Sequence, residues 1–295
     1  MVRTLSPFIH LRSRSPYSIL EGATQIADMA DYCSKWNMPA LALTDTNSLS
    51  GALEFSQKLV GKGIQPIIGL TLSVDIGRDD PLARGAKEPD GKIALLAQND
   101  AGYQNLMALS SAAFLDIEPT DLPHVELTRI LELSEGVIAL TGGPDGVLCK
   151  LIHAGQLGQA EAYLDQLQKA YGDRLYIEIQ RHGMPIELGT EKTLVEWAYE
   201  KNIPLVATNE PYFLEPTMHK AHDALLAISE GSYILEKNRR KVTPQHYFKS
   251  SEQMVELFKD LPEAIDNTVE IAQRCFVQSV ARKPILPGYG DDNFS

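Results

Sequence analysis

Short, almost wholly apolar runs alternate along this chain with longer stretches in which apolar residues recur every three or four positions. The first pattern predicts buried β-strands and the second amphipathic helices. Seven runs qualify as strands: residues 7–11, 40–44, 66–74, 92–97, 136–141, 174–180 and 204–208. Several are apolar almost throughout, as expected for strands covered on both faces. Residues 22–36 read as a helix with Ile26, Met29, Ala30 and Cys33 near one face. Residues 156–171 read as another, with Leu157, Ala160, Tyr163, Leu164 and Leu167 in a stripe. Asn99 is placed to cap a helix running through Tyr103, Leu106 and Met107, and Gly172 to stop the helix before it.

These strand–helix repeats predict a mostly parallel sheet, closed as a distorted (β/α)7 barrel related to the eightfold plan. An open doubly wound sheet is the competing architecture. No GxGxxG follows the first strand and no GxxxxGK[ST] occurs, which weakens nucleotide binding as the purpose of the fold. After residue 215 the strand runs stop. Residues 216–229, 250–259 and 262–276 read as helices, with Ser250 and Ser251 as candidate caps and Pro262 near a helix start. The expected division is a barrel over 1–215, a helical extension over 216–280, and a Pro- and Gly-rich linker over 281–295 in a truncated chain.

Composition adds exclusions. Hydrophobic residues make up 44% and charged residues 22%, ordinary for a globular protein. No apolar run is long enough to cross a bilayer, and the N-terminus lacks a secretory signal, so a cytoplasmic protein with no membrane partner is expected. The net charge of −12 argues against a general duplex-binding surface, which needs Lys and Arg on phosphates. The basic cluster Lys237, Arg239, Arg240 and Lys241 reads as a solvated loop. Cys33, Cys149 and Cys275 are far apart and form no CxxC pair, which predicts inert core thiols.

In a βα barrel the chemistry gathers where strands end. Those places hold Arg12, Arg14 and Glu21, then Asp45 and Thr46, Thr71, Lys92, Gly143, and finally Glu210 and Tyr212. His10 reads as a structural hydrogen-bonding residue. His182 has no carboxylate or nucleophile beside it in the sequence and is not expected to be catalytic. His219 and His222 have i, i+3 spacing but no second pair, and read as helix surface. No GxSxG elbow or HExxH occurs.

The blocks FIHLRSRSPYSILEGA, ALALTDTNSLSGALEF, GIQPIIGLTLSV, ALLAQNDAGYQNLMALSS and LVATNEPYFLEPTMHKAHDALLAI resemble successive blocks of the PHP (polymerase and histidinol phosphatase) domain. The version they resemble is that of bacterial DNA polymerase III alpha subunits. YFKSSEQMVELFKDLPEAIDNTVEIAQRC resembles the helical segment leading toward the polymerase palm, so the likeness covers nearly the whole chain. Metal-binding members of this family hold two or three ions. The resemblance places their ligand positions on Arg12, Arg14, Glu21, Thr46, Thr71, Lys92, Gly143, Glu210 and Tyr212. Only Glu21 and Glu210 remain carboxylates, and Arg and Lys have no lone pair to offer. Zinc needs about four donors, so no metal, cofactor or catalytic residue is expected in this segment.

Arg12, Arg14 and Lys92 are instead expected to pair with Glu21, Glu210 and Asp45, since buried charges persist mainly when paired. The resemblance further implies a magnesium-dependent polymerase site beyond this segment and DNA contact through the full-length protein. It also implies docking of a proofreading exonuclease and other replicase subunits. Two alternatives are a metal-dependent phosphoesterase or 3′–5′ exonuclease with the same fold, and the same domain in an error-prone polymerase paralogue.

Overall fold

A computed structural model describes residues 7–78, 86–236 and 238–283. Its elements in chain order are α1 (Ile26–Lys35), β1 (Ala40–Leu43), α2 (Ala52–Val60), β2 (Gln65–Asp75), β3 (Gly91–Ala97), α3 (Asp100–Leu115), β4 (Val125–Glu126) and α4 (Leu127–Glu132). Then follow β5 (Val137–Leu140), α5 (Val147–His153), α6 (Leu157–Tyr171), β6 (Leu175–Ile179), α7 (Pro185–Lys201), β7 (Leu205–Ala207), α8 (His219–Ser229), α9 (Ser251–Leu257) and α10 (Pro262–Arg274). Asn99 caps α3 by accepting from the Gly102 N–H, Gly172 ends α6, and Ser250 caps α9 by accepting from the Gln253 N–H. The expected linker lies outside the described residues from 284 onward.

The sheet runs in the order β1-β2-β3-β5-β6-β7, with the short β4 beside β2, and curls into a distorted α/β barrel. Its pairings are mostly parallel, as expected, with one strand as the exception. β3 runs antiparallel to both β2 and β5. The reason is the connection: β2 returns to β3 without a helix among the described residues, and a parallel return would need a crossover. β4 is a strand the apolar pattern did not reveal.

The first expected strand, 7–11, is a correction. It is extended but not a regular strand. Its backbone meets β1 through Ala42 N–H to the His10 carbonyl and Thr44 N–H to the Ser13 carbonyl. Two residues of β1 thus span three on the partner segment, one more than a parallel ladder allows, as in a β-bulge. Ile9 and Leu11 belong to the inner apolar cluster, while Phe8 packs in the outer one. After the extra residue, Arg12 and Arg14 take the inward direction.

Period-two geometry sorts the rest of the barrel. Ala42, Ile67, Leu96, Leu140, Tyr176 and Val206 pack along the axis, whereas their neighbours in sequence pack outward against the helices. α10 closes one end. Ile271, Ala272 and Cys275 join the inner cluster, and Gln65, Leu205 and Ile9 at that end are bonded to the helix or its C-terminus. The other end is polar.

All three cysteines are buried free thiols, and burial pushes each up to about 12. A thiol reacts as thiolate, so the native protein at pH 8 should leave a disulfide reagent essentially unreacted until denaturant is added. Release of one equivalent of chromophore by the native protein would contradict this burial.

Candidate functional site

The polar end is a cup whose wall comes from the bulged N-terminal segment and from the ends of β1, β2, β6 and β7. Arg12 is fully buried and forks between two carboxylates. Its Nη1 donates to Glu178 at 3.1 and 3.3 Å, and its Nη2 donates to Glu210 Oε1 at 2.5 Å. Arg14, equally buried, donates to the same Glu210 oxygen from Nε at 3.0 Å and Nη2 at 2.5 Å. Its Nη1 donates to Glu21 at 2.9 Å and to the Thr46 hydroxyl. Glu210 reaches this position from a left-handed backbone at φ 47°, an unfavourable conformation for a residue with a Cβ. The paired guanidiniums hold it there.

Outward from this core lies a second ring. Arg240 donates to Glu21 Oε1 at 2.6 Å and to the Tyr212 hydroxyl at 3.0 Å. The Lys92 ammonium stands 3.6 Å from Glu21 and 3.7 Å from Asp145. Burial alone would raise Glu21, yet Arg14, Lys92 and Arg240 together hold its carboxyl far below the usual carboxylate range. Burial also works to raise Glu210, and Arg12 and Arg14 outweigh it. Lys92 is pushed down by burial and by Arg14, with Asp145 and Glu21 acting against the shift.

The structure therefore brings Arg12, Arg14, Glu21, Lys92 and Glu210 together, with Thr46 and Thr71 as hydroxyl partners. Asp45 is not part of this network, contrary to expectation. It lies just past the end of β1, out of phase with Ala42, and faces away from the axis, where Ser15 and Ser18 donate to it at 2.6 Å each. Burial, only partly offset by those bonds, leaves its carboxyl above the ordinary range.

Three participants were not anticipated: Glu178, Asp145 and Arg240. Glu178 was legible, since it stands two residues after the inward Tyr176 inside an apolar strand, and a lone carboxylate there needs a cation. Arg240 corrects the solvated-loop reading, as does Arg239, which forks onto Asp223 at 2.7 and 2.5 Å. Lys241 is exposed, and Lys237 lies outside the described residues.

The histidines take structural places. His10 Nε2 meets the Lys249 carbonyl at 2.8 Å, and burial pushes the ring down to about 4. His222 is buried rather than on the helix surface, with Nε2 at 2.7 Å from the Glu21 carbonyl, and His219 bonds the Val242 carbonyl. His182 does have a carboxylate neighbour: Glu187, five residues on, at 2.8 Å from Nδ1. Its Nε2 meets the Asn209 carbonyl and its ring stacks on His246 at 3.8 Å, so both ring nitrogens are engaged in a packing knot.

A multinuclear metal centre does not fit this cup. Arg12, Arg14 and Lys92 offer no lone pair, and the carboxylates beside them are engaged by those cations. At position 143 the glycine backbone is left-handed at φ 58°, and a Cβ would lie 2.7 Å from the Gln180 side-chain carbon, so a ligand side chain there would require Gln180 to move. No group of three or more His, Cys, Asp or Glu side chains converges to hold an ion among the described residues.

The chain has extensive sequence similarity to known proteins. The family model described as "PHP domain" matches residues 10–182. The chain is 46% identical over 282 residues to the DNA polymerase III subunit alpha of Caulobacter vibrioides, covering 96% of this chain and 24% of that protein. It is 40% identical over 288 residues to the protein of that name from Rickettsia conorii, covering 98% of this chain and 24% of the relative. The chain thus spans about a quarter of the length of these relatives. A solved amidohydrolase from Chromobacterium violaceum, with bound sulfate and no metal, aligns at a TM-score of 0.43 and 14% identity over 69% of this chain and 87% of its own. No helix among the described residues is long and apolar enough to cross a membrane. Since the matched stretch carries the arginine segment and all strands through β6, more than half of the sequence, the chain belongs to the PHP domain family.

Proposed function

We propose that this chain is the N-terminal PHP region of a replicative DNA polymerase III alpha subunit, with a degenerate metal site and a structural and docking role in DNA replication. The observation that supports the reading is the burial of Arg12 and Arg14, with Lys92 nearby, on the carboxylates of the cup, at positions where the resemblance puts the family's metal ligands. Guanidinium charges then replace cation charges, and the cup keeps its shape without an ion. Polymerisation, with its magnesium ions, belongs to another part of a longer cytoplasmic protein, which also contacts DNA. A proofreading exonuclease docks on this region and supplies hydrolysis in trans.

Two measurements on one sample test this reading. Purified protein should contain well under one zinc or manganese ion per chain by mass spectrometry, and a chelator should leave its melting temperature unchanged. The same protein should retain the cognate exonuclease subunit in a pull-down. Two tightly bound ions with phosphoesterase activity would replace this reading with a hydrolase.

A further inference from the structure

Gln180 is only 3% exposed, and its side-chain oxygen Oε1 is a buried acceptor with no donor among the described residues. The amide cannot turn over to find one. Its Nε2 donates to Glu178 Oε1 at 2.8 Å and to Thr208 Oγ1 at 3.0 Å. Glu178 is the carboxylate that receives Arg12, and it can only accept. A reversed amide would set oxygen against oxygen. Oε1 is therefore held facing away from the ion pairs.

A small cavity adjoins Gln180, enclosed by the end of β6, the Gly143-Pro144 turn, α5 and α7. Gly143 lies so close to the amide that an added Cβ would stand 3.0 Å from Oε1. Cys149, Thr190 and Leu194 complete the opposite wall. The cavity leaves about 10 Å³ of room for the centre of a small molecule, which matches one water and nothing larger. Its other polar groups cannot serve Oε1. The Thr190 hydroxyl hydrogen is spent on the Ile186 carbonyl at 2.8 Å, so its oxygen can only accept here. Both oxygens of Glu187 are taken up by His182, with Met184 N–H on one of them.

We propose that this cavity is a binding site for one water molecule, which donates one hydrogen to Gln180 Oε1 and the other to Thr190 Oγ1. Two acceptors without a donor between them are what such a molecule satisfies, and buried polar atoms are nearly always satisfied. The bound water fixes the direction of the Gln180 amide. That in turn keeps Nε2 on Glu178, the carboxylate beneath Arg12. The site is thus an internal support of the ion-pair core, built from a neutral ligand. It is independent of the replicase reading.

The whole chain, crystallised and refined at high resolution, should show one isolated density peak about 2.5–3.0 Å from Gln180 Oε1. In solution, a rotating-frame Overhauser spectrum should show a cross-peak between water and the Gln180 side-chain amide protons. Gln180→Met keeps the shape of the side chain and removes the acceptor, and the density peak should be lost. Clean density without a peak in the unaltered protein would overturn the proposal. So would a peak that persists in Gln180→Met. A peak ringed by four or more oxygens at less than about 2.5 Å would also overturn it, because the ligand would then be a cation.

Discussion

Replacing Arg12 with alanine should remove about 3–5 kcal/mol of folding stability, the range for breaking a buried charge network from one side. Arg12 is fully buried and bridges β6 to β7 through Glu178 and Glu210. Its loss strips Glu178 of its guanidinium, leaving only Gly142 N–H, Gln180 and Thr208 as donors. Glu210 would keep Arg14 but would lose part of the attraction that holds its left-handed backbone. Lysine at position 12 restores the charge without the two-pronged geometry, and should recover only part of the loss. Urea unfolding followed by circular dichroism measures both variants. A loss for Arg12→Ala below about 1 kcal/mol, the size of an exposed ion pair, would mean that the guanidinium contributes no more than surface charge does.

Acid should destabilise the protein steeply in a defined window. Glu21 and Glu210 have folded-state pKa values below their ordinary ones, so their contribution is complete above the unfolded value of about 4.3 and declines as pH falls below it. Asp145, drawn down to about 2 against its own burial by Lys92 and Arg240, acts in the same direction. Its side chain is 37% exposed, however, so solvent screening reduces its weight. Asp45 has the opposite sign: its raised folded-state pKa means that protonation favours the native state as pH falls. It therefore softens the upper part of the decline. Urea midpoints at pH 6, 5, 4 and 3 should drop mainly below about pH 4.5, and Glu21→Gln should flatten the curve. Equal stability at pH 5 and pH 3 would contradict the pairing.

Much of this was readable before any coordinates, and the misses have definite causes. Apolar runs located six of the seven expected strands, but they cannot show direction, so the antiparallel β3 was hidden. Two-residue β4 is too short to carry a period. Asp45 was misjudged and Glu178 overlooked for one reason: strand ends were weighed without the alternation that decides facing. Counting in twos from Ala42 turns Asp45 away, and counting in twos from Tyr176 turns Glu178 inward. Arg240 is different. It arrives from a segment more than 200 residues from Glu21, and no local pattern ties the two together.

The unpaired residue between His10 and Ser13 makes the first segment unusually intolerant of length change. Substitutions there alter one side chain at a time, but deleting a single residue would shift the phase of all that precedes or follows it. Either Ile9 and Leu11 would leave the axis or both guanidiniums would. Lineages that keep this buried ion-pair cup should therefore keep the residue count of the segment fixed.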